Sequence, residues 1–442
     1  MMLHRRELLR AAGLGLLGTS ASGWLPVLAD QAAADPARKR HCVLLWMNGG
    51  PSQLDTFDPK PGHENGGEFR EIATSIPGLG ICQHLPKLAG MAEHLAIVRS
   101  LMTKEGDHGR GTFLMRTGHQ PTGPIRYPSI GATLSKALGE ADAELPNFVS
   151  ISPYTLFNRQ AYGSGFLGPQ YAPLTVGATD NIAALQAQPA AYADLGVDDL
   201  HLPAGVEASQ AESRLELWRS LQAGFLARHR SASPLVHDTV YQRAVRMMHS
   251  ETAKAFDLSR EPAEVRDAYG RGRFGQGCLM ARRLIERGVP FIEVSLGALG
   301  GGDLGWDSHL NNFEIVKNLS AELDAGWATL MAELADRGLL ECTTILWMGE
   351  FGRTPKINAQ AGRDHFPAAW TCVLAGGGIR GGQAYGRTSE DGMSVEENKV
   401  DVGDVLATLC KALGVDHESQ NVSEVGRPIK IAEGQPIDAL LG

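Results

Sequence analysis

Continuous apolar runs, rather than alternating ones, mark the strands of this chain. Cys42-Val-Leu-Leu-Trp-Met47 is apolar throughout and stops at Asn48-Gly-Gly-Pro51. Residues 291–296, 344–348 and 371–375 read the same way, with weaker runs at 95–99 and 148–151. A strand covered on both faces carries such a run, which predicts a mainly parallel, buried sheet. Helical patterns alternate with the runs. Leu319, Leu323, Trp327, Leu330 and Leu334 share one face of a helix predicted over 312–337, ending at Arg337-Gly338. A second helix is predicted over 274–287, ending at Arg287-Gly288. A third, over 401–413, starts on Asp401 and closes on Gly414. Strand–helix–strand alternation with short links predicts an α/β sandwich. Residues 155–270 break this rhythm. They are richer in Ala, Gln and Asp, with helices expected near 182–192, 207–228 and 234–257. They read as a mostly helical insertion or cap.

The N-terminus changes the picture of where the protein works. Arg5-Arg6 precede an apolar run from Ala11 to Leu17, and Val27-Leu28-Ala29 follows as a small-x-small cleavage pattern. The order matches a twin-arginine signal peptide over 1–29, with a flexible leader over 30–40 and one domain over 41–442. It implies the twin-arginine export machinery as a partner and a periplasmic or extracellular location. The apolar run is too short for a spanning helix, and no stable membrane span is expected. Composition adds little: 43% hydrophobic and 21% charged residues are ordinary for a soluble chain of 442 residues. The net charge of -9 argues against nucleic acid as the main partner. Six cysteines lack zinc-like C-x-x-C spacing and read as small buried hydrophobes.

Four polar clusters follow predicted strands. The first is Asn48-Gly-Gly-Pro-Ser52-Gln-Leu-Asp55-Thr-Phe-Asp58. The second holds Asp107-His108 and then Thr117-Gly-His-Gln-Pro121. The third is Trp306-Asp307-Ser308-His309. The fourth is Glu350-Phe-Gly-Arg353, followed by Gly362-Arg363-Asp364-His365. In α/β sheets ligands sit beyond the carboxyl ends of the strands, where these clusters fall. Asp307 and His309 alternate around Ser308, so an extended segment points both side chains one way, fit to grip an ion. Arg353 and Arg363 are candidates either to pair with Glu350 and Asp364 or to hold an anionic group. Ser52 follows a Gly-Gly-Pro turn but does not fit G-x-S-x-G, which disfavours a serine esterase. Gly376–Gly382 lacks the Lys-Ser/Thr of a P-loop and reads as a turn.

On Asn48–Lys60, Ala281–Gly288, Gly305–His309, Gly349–Pro355 and Gly362–His365 the chain resembles the bacterial domain-of-unknown-function 1501 family. That family is often grouped with sulfatases and is similar in fold to the alkaline phosphatase superfamily. The resemblance implies an alkaline-phosphatase-like three-layer α/β sandwich and a two-metal site. It would give Asp307, His309 and His365 to one ion. A second ion would fall to Asn48, or Asp55 in its stead, with Glu350 and Asp364; Asn48 and Glu350-Phe351 stand where the superfamily carries Asp and Asp-His. The ions implied are divalent, Zn, Ca, Mg or Mn. The sulfatase nucleophile pattern C/S-x-P-x-R is missing. Counting back from Thr117-Gly-His-Gln-Pro121 puts His108 at the nucleophile's place, as metal ligand, general acid/base or phosphohistidine-type nucleophile.

The resulting expectation is an exported metal-dependent hydrolase of a small phosphate or sulfate ester or similar anionic substrate. In it His108 does acid/base work and Arg353 stabilises charge on the transferring group. The alternative is a non-catalytic binding or assembly protein that keeps the fold.

Overall fold

The computed structural model describes residues 40–177, 191–200, 202, 205–228, 232–297 and 305–442. The expected signal (1–29), the leader up to residue 39, most of the helix expected over 182–192 and the glycine-rich turn after residue 297 lie outside these.

The central sheet and a ribbon beside it use ten strands: β1 (His41–Met47), β2 (Leu95–Leu101), β3 (Phe148–Ile151), β4 (Leu174–Val176), β5 (Phe291–Leu296), β6 (Thr343–Gly349), β7 (Gly352–Arg353), β8 (His365–Phe366), β9 (Trp370–Gly376) and β10 (Gln383–Tyr385). The sheet order is β10-β2-β9-β6-β1-β5-β3-β4. β9 runs antiparallel to both its neighbours, β2 and β6, and the other pairings are parallel. β7 and β8 form the separate antiparallel ribbon.

Every residue of β1 is buried. Because side chains alternate across a strand, both faces must be covered. Val43, Leu45 and Met47 join one core cluster, and Cys42, Leu44 and Trp46 join another. Helices α1 (His108–Thr117), α2 (Ile130–Leu138), α3 (Ala208–Arg228), α4 (Ala232–His249), α5 (Arg273–Glu286), α6 (Asn312–Asp336) and α7 (Val402–Ala412) surround the sheet. α5 and α6 supply Leu279, Leu284, Leu323, Trp327 and Leu334 to the first core. α2 and α7 supply Leu134, Val405, Leu406 and Leu409 to the second. The result is the three-layer α/β sandwich that the apolar runs imply.

Two details set the site. Met47 of β1 is in register with Leu296 of β5 and with Gly349 of β6, so three parallel strands end at one level. The loops that leave them start side by side. α1 begins at His108 because the Asp107 side chain accepts the Arg110 N–H, and it ends at Gly118 with φ of 75°.

Residues 155–270 open with short 3-10 turns, add β4 at the sheet edge, and then form α3 and α4. All six cysteines are buried. Among the described residues no helix is long and apolar enough to cross a membrane.

Candidate metal centre

The Asp307 carboxylate is the meeting point of four elements. It lies in the loop between β5 and α6, beside Ser308, whose hydroxyl turns inward to Asn312 Oδ1 at 2.6 Å. Asp307 and His309 therefore share the outer side, as their two-residue spacing predicts. His309 Nε2 lies 3.1 Å from Asp307 Oδ1, and His365 Nε2 lies 3.3 Å from the same oxygen. The two Nε2 atoms are 3.0 Å apart. Ligand atoms bound about 2.0–2.1 Å from one tetrahedral ion are about 3.3 Å from each other, so these three atoms span the face of a coordination shell. His108 approaches from the start of α1, with Nε2 3.3 Å from Asp307 Oδ2. The ligand atoms of His108, Asp307 and His365 all lie within 4.8 Å of one another.

Each imidazole is held by its other nitrogen. His108 Nδ1 donates to Glu350 Oε1 at 2.7 Å, His309 Nδ1 to Asp364 Oδ1 at 2.7 Å, and His365 Nδ1 to the Gly106 carbonyl at 2.7 Å. Carboxylates and carbonyls only accept, so each Nδ1 carries its proton, and each Nε2, turned to Asp307, is the nitrogen left to hold either a second proton or an ion. Such an outer acceptor is what orients a metal-binding histidine. Ring packing adds to it: Phe157 stacks on His108 with centroids 4.2 Å apart, and Phe351 tilts against His365 at 4.6 Å.

The charges are arranged for a cation. Burial lowers the His108 pKa, but the Asp307 and Glu350 carboxylates outweigh it and lift the value to about 9. Burial raises the Asp307 pKa, yet His108, His365 and Arg353 hold it well below the usual carboxylate range. The fully buried Glu350 also accepts the Gly49 N–H at 2.8 Å through Oε1, while Oε2 is buried without a hydrogen-bond partner.

The loop after β7 runs directly over this cluster. A Cβ on Gly362 would overlap the His309 carbonyl oxygen, so only glycine lets the two backbones pass. Arg363, next in the chain, is fully buried and binds Asp55 through Nε at 2.7 Å and Nη2 at 3.0 Å. Asn312 Nδ2 donates to the same carboxylate at 2.8 Å.

Several expectations change here. Asp55 is occupied by Arg363 and Asn312, so its carboxylate has no free oxygen for an ion. Asp364 stands behind His309, on the Nδ1 side, and holds the ring there. Arg353 is fully buried, and its donors go to Gly50 O at 3.0 Å, Asp307 Oδ1 at 2.6 Å, Arg363 O at 3.3 Å and Gly49 O. Four of its five N–H donors are thus taken by the protein, and the side chain braces Asp307. The two arginines pair with Asp307 and Asp55, not with Glu350 and Asp364. Asn48 and Glu350 do stand side by side at the strand ends, and among the described residues the Asn48 Oδ1 accepts the Tyr162 hydroxyl at 3.5 Å. Ser52 is buried and its Oγ accepts the Asp55 N–H at 3.3 Å, a turn-capping role rather than a nucleophile's.

Two contributors carry no signal in the sequence. Gln53 clamps Arg353, accepting its N–H at 3.0 Å and donating to its carbonyl at 2.8 Å. Phe157 reaches His108 from the segment read as an insertion or cap. In both cases the partner lies far away along the chain.

No curated protein matches this chain. Solved structures similar to it include the PsFucS1 sulfatase from Pseudoalteromonas sp., at 12% identity and a TM-score of 0.41, covering 89% of this chain and 72% of that one. The phosphonate monoester hydrolase SpPMH from Silicibacter pomeroyi matches at 13% identity and a TM-score of 0.36, over 85% and 73% of the two chains. A protein in the alkaline phosphatase superfamily from Vibrio parahaemolyticus matches at 11% and 0.35, over 90% and 76%. At these values the likeness leaves the chemistry to the residues themselves. The family model for "Protein of unknown function (DUF1501)" matches residues 39–441, and the chain belongs to that family.

Proposed function

We propose that the protein is a metal-dependent hydrolase of an anionic ester, of the phosphate or sulfate type, with one divalent ion held by Asp307, His309 and His365. The observation that carries this is the mutual spacing of 3.0–3.3 Å among their three ligand atoms. The donor set fits such an ion: two imidazoles whose Nδ1 atoms are held by acceptors and one carboxylate held in its charged form. When bound, the ion supplies a Lewis acid for the ester oxygens. Arg353 holds Asp307 in place. Asp364 and the Gly106 carbonyl fix the rings of His309 and His365. His108, backed by the Glu350 carboxylate, is positioned to move a proton at Nε2 to or from an ester oxygen.

Export through the twin-arginine route is part of the same proposal, supported by Arg5-Arg6 and the apolar run that follows. Its site of action is then the periplasm or the exterior. N-terminal sequencing of the exported protein tests this, and a start after Ala29 is expected.

A panel of phosphate, sulfate and phosphonate esters tests the activity. One class should be hydrolysed by the wild type and not by Asp307→Ala. Equal hydrolysis by both would assign the activity to a contaminant. A second reading, a binding protein on the same fold, is favoured by His108 standing where the resemblance expects a hydroxyl or thiol. A chain that holds its ion but hydrolyses no ester would support that reading.

A further inference from the structure

We propose that His108 is itself a ligand of the ion in the substrate-free protein, sharing it with Asp307 and His365. This rests on the reading above for the presence of an ion. Three observations carry it. The Nδ1 proton of His108 is committed to Glu350, so Nε2 is the nitrogen left to take an ion in place of a second proton. That Nε2 is a buried atom with no hydrogen-bond partner, and it faces Asp307 Oδ2 at 3.3 Å. The stack of Phe157 on the imidazole fixes the ring plane at an interplanar angle of 8° and aims Nε2 at the cluster. A lone pair turned on a carboxylate oxygen is repulsive unless a cation or a second proton lies between them. The same geometry recurs at His309 and His365, whose Nε2 atoms also face Asp307. His108 thus shares with the two predicted ligands an acceptor behind Nδ1 and Asp307 opposite Nε2, on Oδ2 where they face Oδ1.

Imidazole donors suit Zn²⁺ and its neighbours in the first transition row, and not Ca²⁺ or Mg²⁺, which take oxygen donors. An Nε2 that held the ion could not also carry a proton, so the ligand and proton-transfer roles of His108 would exclude each other at any one moment.

The full-length chain, stripped with a chelator and titrated with Co²⁺, tests the proposal. Wild type should bind one Co²⁺ with the strong visible absorption of a four-coordinate ion, and excess Mg²⁺ should not displace it. His108→Ala should weaken binding by more than the roughly 10- to 100-fold typical of losing an outer hydrogen-bond partner, as Glu350→Gln would here. His108→Cys guards against a variant that fails to fold, because it adds a signal: thiolate-to-Co²⁺ charge transfer appears in the near ultraviolet only if residue 108 coordinates. Wild-type absorption in His108→Cys without charge transfer would overturn the assignment while leaving the ion in place. Failure of the wild type itself to bind Co²⁺ would overturn the ion as well.

Discussion

The Nε2 atoms of His309 and His365 face each other at 3.0 Å across 56 residues of sequence. Asp364 takes the proton on His309 Nδ1 at 2.7 Å, and the Gly106 carbonyl takes that on His365 Nδ1 at 2.7 Å. Two imidazole nitrogens at that distance need a proton or a shared cation between them to make the contact favourable. Asp364→Asn should loosen His309 and lower ion affinity by about 10- to 100-fold, with the fold intact. Competition against a chelator of known affinity measures it. Unchanged affinity would show that the Asp364 contact is incidental.

Asp55 and Arg363 hold the other side of the same loop, and both side chains are fully buried. Removing one member of such a pair leaves a charge without its partner in the interior. Arg363→Met should therefore cost about 3–5 kcal/mol, and the double variant with Asp55→Asn less than the sum of the two single changes. Urea denaturation of the four proteins closes the cycle. Strict additivity would mean that the two residues act independently.

Gly362 is the point where the loop crosses His309. An added methyl group has no room against the His309 carbonyl, so Gly362→Ala must shift one backbone or the other. A displacement near 1 Å at a ligand costs up to about 100-fold, and ion affinity and ester hydrolysis should fall together by that order. A variant that binds the ion and turns over like wild type would show that the loop accommodates the change elsewhere.

Much of this was legible in the sequence, for a local reason. Strands covered on both faces must be apolar throughout, so the runs beginning at Cys42, Phe291 and Thr344 marked β1, β5 and β6. Asp307 and His309 were legible because alternation around Ser308 is a local rule. The roles of the arginines were not. Arg353 lies 46 residues from Asp307, and Arg363 lies 308 from Asp55. No spacing rule pairs groups so distant, and nearby Glu350 and Asp364 offered a closer but mistaken partner for each. Sequence also could not separate a carboxylate that binds an ion from one that stands behind a histidine. For Asp364 that depends on which ring nitrogen it approaches.

The central claim is that Asp307, His309 and His365 hold a divalent ion. Elemental analysis of protein purified after export by its own route tests it most directly. About one equivalent per chain of a Zn²⁺-class ion is predicted for the wild type, and its loss in Asp307→Ala. Less than about half an equivalent of any divalent ion in correctly folded wild-type protein would contradict it.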